Sequence, residues 1–190
     1  MRDVVLFIAM SLDGYIASPD GGIDWLCGES KETSDFGSYE RFIAGVSDIV
    51  MGHTTYHQLT TQLLPGAWPY AAQRTHVLTH REIASAPEGV AFTNEPLETL
   101  IVRLKRESGG EIWLCGGASV AQQAMRRGLI DCYHINVMPT IRGAGIRLFD
   151  ALERDIPLKL ISTERYNGIV DLVYAVRERA ASGGAGQILL

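Results

Sequence analysis

The sequence predicts an α/β domain with a mixed, mainly parallel sheet of about eight strands, helices on both faces and a C-terminal antiparallel hairpin. Three observations carry this. Short apolar runs of strand length alternate with stretches of helical periodicity. Glycine or proline closes most of these segments. Asn167-Gly168 separates the last two strand-like stretches, and this dipeptide suits a type I′ turn, whose two central residues need positive φ.

The elements follow in order. Asp3–Met10 is a continuous apolar run, as expected of a strand buried on both faces. Ser34 is placed to cap a helix over Ser34–Val46, with Phe36, Tyr39, Phe42, Ile43 and Val46 at helical spacing. Asp48–Met51 is a second strand and stops at Gly52. Thr75–Thr79 and the weaker Gly89–Phe92 come next. Asn94 is expected to cap a helix with Pro96 in its first turn, Leu97, Leu100, Ile101 and Leu104 inward, and Gly109-Gly110 as its stop. Glu111–Cys115 is a strand, Ala118–Arg127 a helix ended by Gly128, and Cys132–Met138 a strand halted by Pro139. Leu158–Tyr166 and Ile169–Arg177 form the hairpin. Residues 1–178 read as one domain, and 179–190 as a loose tail.

Composition excludes several function classes. Lys+Arg is 17 against Asp+Glu 22, a net charge of −5, which argues against holding nucleic acid on a basic face. The longest clean apolar run, Val4–Met10, falls short of the ~20 residues that span a bilayer, and no cleavage pattern follows it. Cys27, Cys115 and Cys132 form no C-x-x-C pair, so neither a disulfide framework nor structural zinc is expected. His53 and His57 lack the glutamate of H-E-x-x-H, and no metal is expected. His76 reads as a packed strand residue, His134 as a satisfied core histidine, and Cys115 and Cys132 as small hydrophobes. A reduced, cytoplasmic domain is the expectation.

Two glycine turns carry the chemistry. In Met51-Gly52-His53-Thr54-Thr55-Tyr56 a buried strand ends at glycine and hydroxyl residues open a short helix. Gly52 lets a ligand approach the backbone, the free N–H groups of a helix start attract phosphate, and Thr54 and Thr55 add hydroxyl donors. His53 adds positive charge when protonated. In Cys115-Gly116-Gly117-Ala118-Ser119-Val120 the same sequence of strand, glycine and helix recurs. Glycine is common in any strand-to-helix turn, so each turn alone says little. Two on one sheet point to a pyrophosphate beyond the carboxyl ends of the strands. Neither matches G-x-G-x-x-G or the P-loop.

With these turns, two further segments resemble the dihydrofolate reductase-like superfamily, closest to the reductase domain of the bifunctional riboflavin-biosynthesis deaminase–reductase. They are Ala9-Met10-Ser11-Leu12-Asp13-Gly14-Tyr15-Ile16-Ala17 and Pro139-Thr140-Ile141-Arg142-Gly143-Ala144-Gly145-Ile146-Arg147-Leu148-Phe149. The resemblance implies a three-layer dihydrofolate reductase-like fold, NADPH as cofactor and a homodimer. It implies hydride transfer to a 5-amino-6-(5-phosphoribosylamino)uracil-type pyrimidine or a related small acceptor. By motif, Ala9 and Ile16 would flank the nicotinamide. Gly52, Thr54 and Thr55 would hold the pyrophosphate from one side and Gly116, Gly117, Ala118, Ser119 and Val120 from the other. His53 stands where relatives often carry arginine. Thr79, His80 and Arg81, at the end of the third strand, are the other candidates beside the cofactor, and Arg81 suits a 2′-phosphate through its permanent charge and forked donors. Trp25 would wall the substrate pocket, with Asp13 and Asp24 as polar contacts. Asp13 also reads as a turn-former and Trp25 as core. Thr60–Ala72 forms either a pocket rim or simple packing. Two alternatives stand beside this reading. One is a dihydrofolate reductase using Glu29, Glu32 or Asp35; the other is a dinucleotide-binding module without catalysis.

Overall fold

The computed structural model describes residues 1–30, 37–83 and 85–177. The elements are β1 (Val4–Ser11), β2 (Tyr15–Ala17), α1 (Tyr39–Gly45), β3 (Val46–Gly52), α2 (His53–Gln58), β4 (Arg74–Leu78), β5 (Val90–Thr93), α3 (Leu97–Arg106), β6 (Glu111–Gly116), α4 (Ala118–Arg126), β7 (Cys132–Met138), β8 (Ile146–Arg147), β9 (Leu158–Tyr166) and β10 (Ile169–Val176). A π-helical turn, Leu59–Leu63, continues α2. The main sheet has eight strands in the order β5-β4-β3-β6-β1-β7-β10-β9. Its strands run parallel from β5 to β7, and β10 and β9 close it antiparallel.

Period-two alternation in the strands feeds two cores. Val4, Leu6 and Ile8 of β1 face α3 and α4, where Leu97, Leu100, Ile101, Leu104, Val120, Ala121, Ala124 and Met125 pack against them. Val5 and Phe7 face the other way, onto Phe42 of α1, Tyr56 of α2 and Trp113 of β6. This double burial explains why β1 reads as an unbroken apolar run. At the hairpin tip Asn167 and Gly168 have φ of 46° and 74°, as the type I′ turn requires.

The structure corrects some boundaries. Ser34 and Phe36 lie outside the described residues, and helix α1 begins only at Tyr39. Val46 is extended and pairs with Glu111, so its apolar side chain enters the core from β3 and not from a helix. Asn94 caps nothing: α3 starts after Pro96, and Thr93 Oγ1 accepts the Glu95 N–H (3.1 Å) to shape the entry turn. The antiparallel pair β2–β8 is an addition to the expected sheet.

Buried polar groups fix the lower part of the sheet. Asp48, fully buried at the start of β3, accepts from Arg2 (2.5 Å), Arg74 (2.9 Å), His76 (3.0 Å) and Ser47 (3.0 Å). Burial alone would push its carboxyl pKa up; the hydrogen bonds from Arg74, His76, Arg2 and Ser47 outweigh that and hold it far below the usual range. His76 is therefore an ion-pair partner as well as a packed strand residue. His134 is the satisfied core histidine expected, with Ser38 Oγ at 3.0 Å and Asp171 Oδ1 at 2.7 Å. Burial raises the Cys115 and Cys132 thiols to about 12 and about 11, so both are neutral and behave as small hydrophobes.

Candidate active site

A cleft of about 500 Å³ opens beyond the carboxyl ends of β1, β3 and β6, between α2, the start of α4 and the pair β2–β8. Parallel strands place it there: each successive strand ends at this edge and its following turn rises over it. Ala9, Ile16, Thr54, Thr55, Gly116, Gly117, Ala118 and Ser119 all line it. A groove of about 580 Å³ near Arg2, Ser38 and His134 lies apart from the glycine turns.

The two turns, separate in sequence, pack against each other. A Cβ on Gly52 would sit 3.3 Å from Val120 Cγ2, and one on Gly117 would sit 3.4 Å from Thr55 Oγ1. Gly117 occupies the N-cap of α4 with φ of +83°, a left-handed conformation that favours glycine. No side chain caps the first N–H groups of α2 or α4. The cleft therefore presents uncapped helix N–H donors and two threonine hydroxyls around a floor without side chains, which is the chemistry that holds a diphosphate.

His53, Thr79, His80 and Arg81 lie outside the cleft lining. His53 stacks on His57 at 6.0 Å. Partial burial lowers the His53 pKa, and Arg81 and His57 push it down further, so His53 is mostly neutral at pH 7. Thr79 Oγ1 accepts the Arg81 N–H (3.0 Å), and the Arg81 side chain is exposed.

The three residues expected on the substrate side take other positions. Asp13 is a clamp. Its carboxylate accepts from the N–H groups of Arg142 (3.0 Å) and Gly143 (2.7 Å) and from Ser11 Oγ (2.6 Å). The Arg142 N–H, the Ser11 hydroxyl and the Gly143 N–H together lower its pKa to about 2. The Ser11–Gly14 turn and the Pro139–Phe149 segment, two motifs far apart in the chain, are thus one structure, completed by the Leu12 N–H to Thr140 O and the Leu148 N–H to Gly14 O. Asp24 is exposed and outside the lining. Trp25 lies under the Arg142 guanidinium at 5.1 Å, and its neighbours Ile23 and Leu26 reach the cleft instead. Without the carboxylate of Asp13 the segment loses its anchor: Asp13→Ala is expected to speed tryptic cleavage after Arg142 several-fold, with unchanged cleavage showing that the clamp is dispensable.

Of the inner wall, sequence reasoning pointed only to the Thr60–Ala72 segment and missed Phe7, Leu59, Trp113 and Cys115. Phe7, Trp113, Cys115, Leu59, Leu63 and Tyr70 form it. Tyr70 meets Trp113 edge-on at 5.3 Å, and Trp113 meets Phe7 at 6.2 Å. The Trp113 indole N–H is taken by Phe7 O (2.9 Å). Tyr70 comes from the Thr60–Ala72 segment, so that segment is both pocket rim and packing.

A family model described as the RibD C-terminal domain matches residues 2–171. The chain belongs to this family. The Bacillus subtilis (strain 168) "Uncharacterized protein YwjB" is 37% identical over 173 residues, covering 91% of this chain and 97% of that protein. The crystal structure of a putative riboflavin biosynthesis protein from Shewanella sp. PV-4 superposes with a TM-score of 0.80 at 27% identity, covering 94% of this chain and all of that one. The dihydrofolate reductase of Enterococcus faecalis, complexed with NADP(H), has a TM-score of 0.63 at 16% identity over 93% of this chain and 97% of its own, a likeness of fold. The fold is dihydrofolate reductase-like, in a RibD C-terminal domain. Among the described residues no helix is long and apolar enough to cross a membrane, and no group of three or more His, Cys, Asp or Glu is placed to hold a metal ion.

Proposed function

We propose that this RibD C-terminal domain is an NADPH-dependent, cytoplasmic reductase of an aminopyrimidine or a related small acceptor. The observation that carries the reading is the meeting of the two glycine turns, uncapped and without side chains on their floor, at the carboxyl edge of the sheet. A Cβ at Gly117 would stand in van der Waals contact with Thr55 Oγ1 (3.4 Å), so glycine there keeps the floor between the two turns open, which suits the cofactor. When bound, NADPH would supply a hydride to the carbon of a C=O or C=N bond, with the proton for its oxygen or nitrogen taken from solvent.

The chain's own residues bind, orient and exclude water. Thr54, Thr55 and the first N–H groups of α4 hold the diphosphate. Gly52 and Val120 back them. Ala9 and Ile16 flank the nicotinamide, and the wall of Phe7, Trp113 and Tyr70 keeps water from the reacting carbon. Arg81 reads the 2′-phosphate, because its charge is permanent while His53 is largely neutral. Arg81→Ala is expected to weaken NADPH about tenfold and leave NADH unchanged, as loss of one charge-assisted contact predicts. Equal losses would remove Arg81 from that role. Titration of the protein with NADPH, followed by nicotinamide fluorescence, tests the reading. Saturable binding supports it, and absence of binding at high micromolar protein rejects it.

Among the described residues nothing at the cleft favours the folate alternative. Trp25 and Glu29 do not line it, and Glu32 and Asp35 lie outside the described residues. Homodimerisation belongs to the same proposal. Among the described residues β9 is an edge strand, with Leu160 and Ile161 exposed, which suits pairing with a second copy.

A further inference from the structure

We infer that the Tyr70 hydroxyl is the donor that holds the heteroatom of the acceptor's C=O or C=N bond as the hydride arrives. This assignment rests on the reductase reading above. Tyr70 is only 9% exposed, yet it lines the cleft. Its ring meets Trp68 (5.5 Å) and Trp113 (5.3 Å) edge-on, and this packing fixes where the hydroxyl stands. The hydroxyl lies beside Cys115, which also lines the cleft and directly precedes the Gly116-Gly117 turn. Trp113 pairs with Val5 of β1, and Cys115 and Phe7 each lie two residues past that pair, in the same core. Ala9 is two residues further along β1, about 7 Å at the usual strand rise. An acceptor lying below a nicotinamide at Ala9 faces this level of the wall.

The wall leaves this hydroxyl poorly satisfied. Tyr70 Oη accepts the Cys115 S–H at 4.0 Å, a weak sulfur contact at the limit of bonding distance. Among the described residues its own O–H has no acceptor. Trp113 differs, since its indole N–H is settled on Phe7 O (2.9 Å). A buried hydroxyl ordinarily finds a partner, because desolvating it unpaired costs stability. A ligand that enters the cleft accounts for the spare donor. When hydride adds to the carbon of a C=O or C=N bond, the electron pair of that bond moves to the oxygen or nitrogen. A donor already in place there, in a dry site, stabilises the growing charge. Burial, with Cys115 and Tyr39 nearby, raises the Tyr70 pKa, so the phenol stays neutral and keeps its proton. Tyr70 is thus a hydrogen-bond donor and not the proton source; the proton that completes the product comes from solvent.

Tyr70→Phe keeps the ring and removes only the hydroxyl. Three quantities test the assignment: single-turnover oxidation of bound NADPH by 5-amino-6-(5-phosphoribosylamino)uracil, calorimetric binding of that compound to NADP⁺-saturated protein, and Tm. The variant is expected to slow the single turnover about 100-fold, as loss of one such donor does, while affinity for the acceptor changes less than about threefold. Its Tm is expected to rise by about 2–4 °C, because a buried hydroxyl without a strong partner is gone. A turnover rate close to that of the parent protein overturns the inference, and so does an equal loss of rate and affinity. A fall in Tm also overturns it, since the hydroxyl would then be a structural partner. NADPH titration of the same samples separates the two claims. Absence of NADPH binding by the parent protein fails the reductase reading. Bound NADPH without turnover of this compound rejects the acceptor and the Tyr70 assignment together, whereas turnover that Tyr70→Phe leaves unchanged fails the assignment alone.

Discussion

Gly117→Val is expected to lower NADPH affinity by about 100-fold while the protein stays folded. Two effects combine. The new side chain stands on the floor of the cradle, its Cβ 3.4 Å from Thr55 Oγ1, and its methyl groups fill space beside the uncapped start of α4. A diphosphate then loses both its room and its approach to the N–H donors, the loss of several charge-assisted contacts at once. The second effect is on the backbone. A β-branched residue at φ of +83° is strained by about 1–3 kcal/mol, which lowers Tm by several degrees. Gly66→Val separates them: Gly66 has φ of +78° with nothing within 4 Å of a Cβ, and it does not line the cleft. It should share the loss of stability and keep NADPH affinity. If Gly117→Val binds NADPH normally, the turns do not hold the diphosphate.

Asp48→Ala is expected to have the largest effect on stability, about 3–5 kcal/mol, because it leaves the buried Arg2 guanidinium without its counter-charge. Arg74, half-exposed, retains Glu107 at 2.9 Å. The pH dependence has a definite sign. The folded pKa of Asp48 is depressed below its unfolded value, so its contribution is complete above about pH 4 and is lost as pH falls from there. Acid denaturation followed by circular dichroism should therefore be less steep below pH 4 in Asp48→Asn than in the parent. Equal slopes, or a cost under about 1 kcal/mol for Asp48→Ala, would show that the cluster contributes little.

These results separate what the chain announces locally from what only its topology creates. The sheet was legible because parallel strands buried on both faces must be continuous apolar runs, as in β1, β3 and β6. The hairpin was legible because few dipeptides tolerate positive φ twice. The pair β2–β8 was not, since strands of three and two residues carry no periodicity. The end of α1 was missed because Val46 serves the same core from extended backbone.

That the two glycine turns meet at one edge of the sheet was readable from their sequence, in which a buried strand ends at glycine and a helix follows. Of the opposite wall only the Thr60–Ala72 segment was expected at a pocket. Phe7 and Trp113 look like ordinary strand residues, and Tyr70 belongs to a loop. They become one surface only because β6 lies beside β1 and the loop folds back over both. Asp13 shows the converse. An acidic residue beside a proposed site invites a substrate role, but its place in a turn and its reach to Arg142 and Gly143 make it an anchor.

The central claim is that the turns after β3 and β6 hold one diphosphate between them. Crystals grown with excess NADPH test it directly. The account expects the diphosphate between Thr54-Thr55 and Gly117–Ser119, with the nicotinamide against Ala9 and Ile16. A diphosphate bound elsewhere on the protein, or crystals that take up no NADPH, would contradict it.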